Sequence, residues 1–234
     1  MSAALLWVML AAMGAYQGLN PPMGWLYAVS RALERRSAGA VFAGTASLAA
    51  GHYAAMLALL VPAALALALT RVNPMALQPW LGAALIGFGL FKLLRPSHPR
   101  LLARIPPGRP MRWSFAMALT HCGSPVMMLG PLASALFLLE PAGPSLGPRL
   151  CWFAAAAFAV SGAMAATMLL TASAVAMVVY RVLGLKALTR FWINLDLGWA
   201  VAFLAMGAMA LSMSATPGLA GWEGMLARLV CHGA

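Results

Sequence analysis

The chain has 234 residues, of which 63% are apolar and only 8% are charged, and its formal net charge at pH 7 is +11. Because about a quarter of the residues of a soluble globular protein are charged, this composition excludes a water-facing surface over most of the chain. A basic surface can mark nucleic-acid binding, but here the charges lie between long apolar segments, so we predict no nucleic-acid partner. The composition instead predicts an all-α, multi-pass integral membrane protein whose main surroundings are the lipid bilayer of a cell membrane, the bacterial inner membrane being the expected one.

Apolar segments long enough to cross a bilayer recur along the chain. About 20 apolar residues span the hydrocarbon core. The first segment lacks the positive start of a cleavable signal peptide, so we expect it to be retained as the first helix. After the last segment, the tail over 216–234 is expected to rest at the membrane interface through Trp222. We predict six transmembrane helices, over residues 3–29, 38–69, 76–94, 113–139, 150–180 and 191–215.

The basic residues concentrate in alternate connections between these helices. The connections after the first, third and fifth helices contain Arg31, Arg35, Arg36, Lys92, Arg95, Arg100, Arg104, Arg109, Arg112, Arg181, Lys186 and Arg190. The opposite connections and the tail contain only Arg71, Arg149 and Arg228. By the positive-inside rule, the three basic connections are cytoplasmic. Both termini are therefore expected on the non-cytoplasmic side.

The two halves of the chain resemble each other. A shift of 104 residues superimposes segment 12–23 on segment 116–127, with four identical residues and with Gln17 over His121. Two small-residue patterns recur in the same order in later helices, namely Gly51-x-x-Ala54-Ala55 with Gly162-x-x-Ala165-Ala166, and Leu81-Gly82 with Leu197-Gly198.

An odd number of helices in each half makes the second copy enter the membrane from the opposite side. This arrangement is an inverted repeat, which is common in transporters. We therefore predict a first three-helix repeat over 1–94, a basic cytoplasmic loop over 95–112 and a second three-helix repeat over 113–215.

Proline-containing breaks fall at equivalent places in the first and fourth helices, at residues 20–24 and 123–125. Proline removes a backbone donor and frees carbonyl groups, which need partners inside protein or in a wet cavity. Paired breaks of this kind mark the binding site of inverted-repeat transporters, although a packing kink is the alternative. The predicted substrate-binding residues are Gln17, Asn20, Pro21, Met23, His121, Ser124, Pro125 and Met127.

Ionisable and polar side chains within the spans are further candidates, because such groups are costly in a membrane. We consider His52, His121, Asn194 and Asp196 as proton-coupling or ligand groups. The alternatives are a neutral His52 bonded to a carbonyl group, and an ion pair of Asp196 with a basic residue of the preceding loop.

The sequence contains no recognisable catalytic motif, so we predict no catalytic residue and no cofactor. Binding of a metal ion is an open alternative, with His52, His121 and Cys122 as weak candidate ligands. We interpret the 17 methionines as flexible packing residues, with copper or heavy-metal binding as the minor alternative.

These motifs resemble the lysine-exporter superfamily of small bacterial transporters. The similar segments are Gly18–Pro22, Arg36–Gly51, Leu81–Arg95 and Ser124–Pro125. The chain is also distantly similar to the thiol electron carriers of cytochrome-c biogenesis. Those carriers have a cysteine in each half, where this chain has Pro22 and Val126, which disfavours a thiol relay.

The resemblance implies a membrane transporter, and the paired breaks agree with it. Our leading hypothesis is an exporter or permease for a small metabolite or cation, in which one three-helix unit rocks against the other. Two alternatives stay open. One is a membrane oxidoreductase or metal-handling component that uses intramembrane His, Cys and Met. The other is a membrane subunit that works with a partner subunit or as a homo-oligomer.

Overall fold

The computed structural model describes residues 3–70, 74–94, 108–119, 128–139, 145–183 and 195–214. In these segments the chain is helical and has no β-strand. The α-helices are α1 Ala3–Leu19, α2 Trp25–Arg35, α3 Gly39–Thr70, α4 Gln78–Leu94, α5 Pro110–Met117, α6 Leu129–Leu139, α7 Leu146–Val178 and α8 Leu195–Ser214. Short 3-10 turns over Pro21–Met23 and Pro74–Leu77 precede α2 and α4, and a π-helical turn over Val179–Leu183 extends α7.

Two helices are long and apolar enough to cross a membrane, namely Gly39–Thr70 and Leu146–Val182. Only 28% and 39% of their most apolar windows are buried inside the protein, whereas a core helix of a soluble protein buries most of its apolar surface. The remaining surface therefore needs apolar surroundings. The described segments are therefore all helical and include two candidate membrane-spanning helices.

The first predicted span, 3–29, is two helices rather than one. Pro21 follows the end of α1, and α2 continues to Arg35, beyond the predicted end. Hydropathy falls after residue 29, but Trp25, Val29 and Ala32 keep a helical spacing and pack in one buried cluster. A helical stripe with this spacing stabilises α2 although its other face is polar.

Helix α7 is the centre of the packing, with α1 and α3 as its main neighbours. α1 runs parallel to α7, because Gly14 lies against Met164 and Gly18 lies against Met168. A Cβ atom at Gly18 would come within 2.6 Å of the Met168 carbonyl oxygen. Glycine therefore permits the close backbone approach of these two helices.

Helix α3 runs antiparallel to α7. The hydroxyl groups of Thr45, near the start of α3, and Ser173, near the end of α7, share a buried hydrogen bond of 2.8 Å. At the other ends of the two helices, Ala64 and Phe153 belong to one buried cluster. The bond fixes the register of the two long helices in an otherwise apolar contact.

Helices α4 and α8 form the most extensive helix pair. Their backbones cross at Gly82 and Gly207, where a Cβ atom on Gly207 would lie 2.7 Å from the Gly82 carbonyl oxygen. Small residues let membrane helices approach this closely.

Replacing Gly207 with Ala is expected to lower the free energy of unfolding by about 1–3 kcal/mol, the usual cost of overpacking. The added methyl group would meet the Gly82 carbonyl group and the Ile86 side chain. Gly87→Ala is the matched control in α4, because no described atom lies within 4 Å of its Cβ position. Thermal unfolding in detergent measures both variants, and equal stability would contradict the close crossing.

Candidate functional site

The break between α1 and α2 has a defined hydrogen-bonded geometry. Asn20 is extended, with ψ of 117°, and Gly24 is left-handed, with φ of 97°. The Met23 N–H donates to the Asn20 carbonyl group and the Gly24 N–H donates to the Pro21 carbonyl group, both at 3.0 Å. The Trp25 indole N–H donates to the carbonyl oxygen of Leu19, at 3.2 Å. Part of the backbone that proline leaves unpaired is thus satisfied locally, as a membrane interior requires.

Gly24 allows the break to fit between α3 and α5. A Cβ atom there would lie 2.8 Å from the Trp113 ring and 2.9 Å from the Leu48 side chain, and its positive φ already disfavours any other residue. On the same side, the Ser114 hydroxyl donates to the Leu48 carbonyl oxygen at 2.7 Å. The first break is therefore in contact with both α3 and α5.

Three buried polar side chains lie on the helices around this break. Gln17, Asn20 and His52 are 1%, 7% and 0% exposed. The Asn20 Oδ1 atom and both ring nitrogens of His52 have no hydrogen-bond partner among the described residues. A buried polar group without a partner costs about 1–3 kcal/mol of stability. Packing alone therefore does not explain why polar side chains are buried at positions 52 and 20.

The helix register puts His52 at the level of the end of α1. Ala28 lies against Gly44 and Gly24 lies against Leu48, so the two chain segments run antiparallel. One turn further along α3 is His52, and one turn back along the first segment is Asn20.

The contacts of α3 and α1 with α7 give a second indication of the level of His52 along α1. The Thr45–Ser173 bond and the contact of Gly14 with Met164 place His52 closer to the level of Gly14. The two sets of contacts put His52 at the level of the last two turns before the break, which contain Gln17 and Asn20.

Methionine side chains from distant parts of the sequence meet at the break. Met23, Met117 and Met168 are buried in one cluster together with Leu85 and Phe203. Two partly buried methionines pack against this cluster, Met13 and Met206. We name these five residues the methionine cluster. Met13 and Met117 superimpose under the 104-residue shift, but nothing in the sequence predicts that the five methionines meet.

Other buried polar contacts join helices and were also missed from the sequence. The Gln78 amide group donates to the Gly130 carbonyl oxygen at 3.2 Å and to the Ser134 hydroxyl at 3.4 Å. These bonds connect the start of α4 to α6. The hydroxyl oxygen of Ser161, on α7, is buried and has no partner in the described segments.

The structure brings only part of the predicted site together. Gln17, Asn20, Pro21 and Met23 lie in the first break or the turn before it, and His52 lies on α3 one turn after Leu48, which contacts Gly24. Of Asp196, the structure describes only the backbone, in the first turn of α8. The predicted site residues outside the described segments are His121, Cys122, Ser124, Pro125, Met127 and Asn194, as is the tail over 216–234.

No group of three or more His, Cys, Asp or Glu side chains that could hold a metal ion occurs in the described segments. A separate apolar cavity of about 360 Å³ lies between α3, α4 and α6, and Leu67, Leu81, Leu129 and Ala133 are among its lining residues. It contains none of the predicted site residues.

No protein-family model, no curated protein and no solved structure matches this chain. The resemblance to the lysine-exporter superfamily therefore stays a prediction.

Replacing His52 with Leu is expected to leave the free energy of unfolding unchanged or to raise it, by up to about 1 kcal/mol, because the removed nitrogens have no partner. Ser114→Ala is the matched control: its hydroxyl has a partner, so its loss should cost about 1 kcal/mol. Denaturant unfolding in detergent measures both. A larger loss for the His52 variant than for the control would indicate that the imidazole ring stabilises the fold.

Proposed function

We propose that the chain is a six-helix transporter of a cell membrane, with the bacterial inner membrane as its location. Its solute is a small metabolite or cation that binds beside the break between α1 and α2. The single observation that carries the proposal is the presence of unpaired, buried Asn20 and His52 beside a broken helix. Polar groups inside a membrane protein are retained mainly where they act on a solute or a proton.

Six membrane crossings follow if α1–α2 and α5–α6 each act as one broken span. Large apolar side chains are exposed on α1, α3, α4, α7 and α8, which supports contact of these helices with lipid. Examples are Val8, Phe42, Trp80, Leu94, Phe158, Leu170 and Val201.

The packing pattern supports the inverted repeat. The four most extensive contacts join α4 with α8, α1 with α7, α3 with α7, and α3 with α5. The repeat would exchange α1–α2 with α5–α6, α3 with α7, and α4 with α8. Under this exchange the α1–α7 contact becomes the α5–α3 contact, and the other two contacts are unchanged. A pseudo-two-fold relation between the halves would produce this set of neighbours.

The same contacts bear on how the site would open. Each of the four joins the first repeat to the second, so the repeats interlock. The α4–α8 pair has fewer contacts with the other helices, and it meets them through Leu85 and Phe203 at the methionine cluster. We therefore propose that alternating access moves the α4–α8 pair against the remaining helices, with the binding site at their boundary.

A metal-handling component is the second candidate, and the methionine cluster at the break favours it. A thiol relay has less support, because Pro22 and Val126 occupy the positions where the similar thiol carriers have their cysteines. A homo-oligomer or a partner subunit would be compatible with either function.

A solute-resistance screen tests the transport proposal. Cells with the chain are expected to tolerate or accumulate at least one solute differently from cells without it. Asn20→Leu and His52→Leu should abolish the difference, because they remove the polar groups of the site. His121→Ala and Asp196→Asn test the remaining predicted groups in the same way.

Ser47→Ala is the control for these variants. Its exposed hydroxyl bonds only within its own helix, to the Ala43 carbonyl oxygen at 2.8 Å, so transport should persist. Full activity of all four site variants at wild-type protein levels would refute the site assignment.

A further inference from the structure

Helices α3 and α4 leave an apolar gap between them. No extensive contact joins these two helices in the described segments, although each of them contacts α6. The cavity of about 360 Å³ lies in this gap, at the end of α3 and the start of α4, and its wall includes Leu67 from α3, Leu81 from α4 and Leu129 from α6. Protein interiors have few voids larger than a water molecule, so the gap is a distinct feature of this packing.

The lining of the gap offers nothing to a polar ligand. Thr70 is the only polar lining residue in the described segments, and its hydroxyl already donates to the Ala66 carbonyl oxygen, at 2.8 Å. The neighbouring Gln78 amide group is bonded to Gly130 and Ser134 on α6. A polar or charged solute would lose its hydration in the gap without new hydrogen bonds, which is costly. The lining therefore favours a hydrocarbon ligand.

The volume of the gap suits a hydrocarbon chain. An apolar cavity of roughly 150 Å³ stays free of water and binds benzene. At about 360 Å³, the gap has more than twice that volume. It therefore has room for a chain segment and not only for a single small ring.

The gap opens onto an exposed surface of α3. The lining residues Ala66 and Thr70 are exposed, and Leu69, between them in sequence, is 61% exposed. On the α4 side, Trp80 is 76% exposed, and tryptophan is typical of the membrane–water interface. Because α3 is a candidate membrane-spanning helix, its exposed apolar surface adjoins lipid in the proposed membrane. Lipid molecules therefore reach the mouth of the gap directly.

We propose that the gap between α3 and α4 binds an acyl chain of a bilayer phospholipid. The chain lies among Leu67, Leu81 and Leu129, and the headgroup stays outside, near the level of Trp80. The inference rests on the proposed function in placing α3 in a membrane. The gap also lies on the boundary between the α4–α8 pair and the other helices, where alternating access would act. A chain bound there holds α4 away from α3, so closure of the gap would expel it.

Photo-crosslinking of the full-length protein tests the proposal. The protein is reconstituted into vesicles that contain phosphatidylethanolamine with a diazirine group halfway along one acyl chain. After illumination, peptide mass spectrometry identifies the labelled residues. We expect label on Leu129, in the wall of the gap, as well as on the exposed Leu69. Label on Leu69 without label on Leu129 would overturn the proposal, because the chain would then stay outside the gap.

A variant that fills the gap identifies the site. Ala66→Phe places an aromatic ring at the mouth of the gap, so it should abolish the label on Leu129 and keep the label on Leu69. Ala58→Phe is the matched control, because Ala58 is also exposed on α3 but does not line the gap. Its labelling should equal that of the unchanged protein. Full labelling of Leu129 in the Ala66 variant would refute the proposed site.

Thermal unfolding in detergent gives a second measurement. A ligand that binds only the folded state raises the unfolding temperature. Adding phosphatidylethanolamine to the delipidated protein should therefore raise this temperature for the unchanged protein and for Ala58→Phe, and by less for Ala66→Phe. Unfolding without lipid checks that each variant is folded. An equal lipid-dependent rise in both variants would contradict binding in the gap.

Failure of this proposal is distinguishable from failure of the transport proposal. Solute flux that depends on Asn20 and His52, in a protein without label on Leu129, would refute the lipid site alone. Label on Leu129 that Ala66→Phe abolishes, without flux of any solute, would refute transport and leave the lipid site. Absence of label from both Leu69 and Leu129 would overturn the lipid site together with the membrane location of α3.

Discussion

A helix inside a bilayer must satisfy its own backbone hydrogen bonds, because lipid offers no partner. The segment from Asn20 to Gly24 interrupts the first helix, and the surrounding packing depends on it. Pro21 ends α1, the 3-10 turn and the Trp25 indole recover part of the lost bonding, and the left-handed Gly24 lets the chain continue as α2 between α3 and α5. Around this segment, α3, α4, α5, α7 and α8 all contribute side chains.

This protein combines closely packed helices with buried polar atoms that have no hydrogen-bond partner in the described segments. Glycines at positions 14, 18 and 207 bring backbones together, and hydroxyl pairs such as Thr45 with Ser173 join helices across the apolar interior. Buried atoms of His52 and Asn20 have no partner in the described segments, and the same holds for the Trp152 indole nitrogen and the Ser161 hydroxyl. A ligand or a proton is the partner that we propose for His52 and Asn20.

Prediction from sequence succeeded where the physical cause was local. The long apolar run over 38–69 became Gly39–Thr70, since hydropathy and length need no knowledge of neighbours, and Pro21 identified the first break, since proline lacks an N–H wherever it occurs. The end of α2 was predicted too early, at 29 rather than Arg35. Hydropathy averages hide a narrow apolar stripe, and only the packing of Val29 and Ala32 against other helices makes the helix continue.

The amino-acid sequence by itself determined the all-helical class, the apolar surface, the first break and the separate candidates Gln17, Asn20, Met23 and His52. Only the tertiary structure decided that these residues occupy one region, that His52 lacks a partner, and that methionines from five parts of the chain meet at the break. The physical reason is that proline chemistry and hydropathy are properties of single residues or short windows. A missing hydrogen-bond partner or a shared cluster is instead a relation between helices far apart in sequence, and it exists only after they pack.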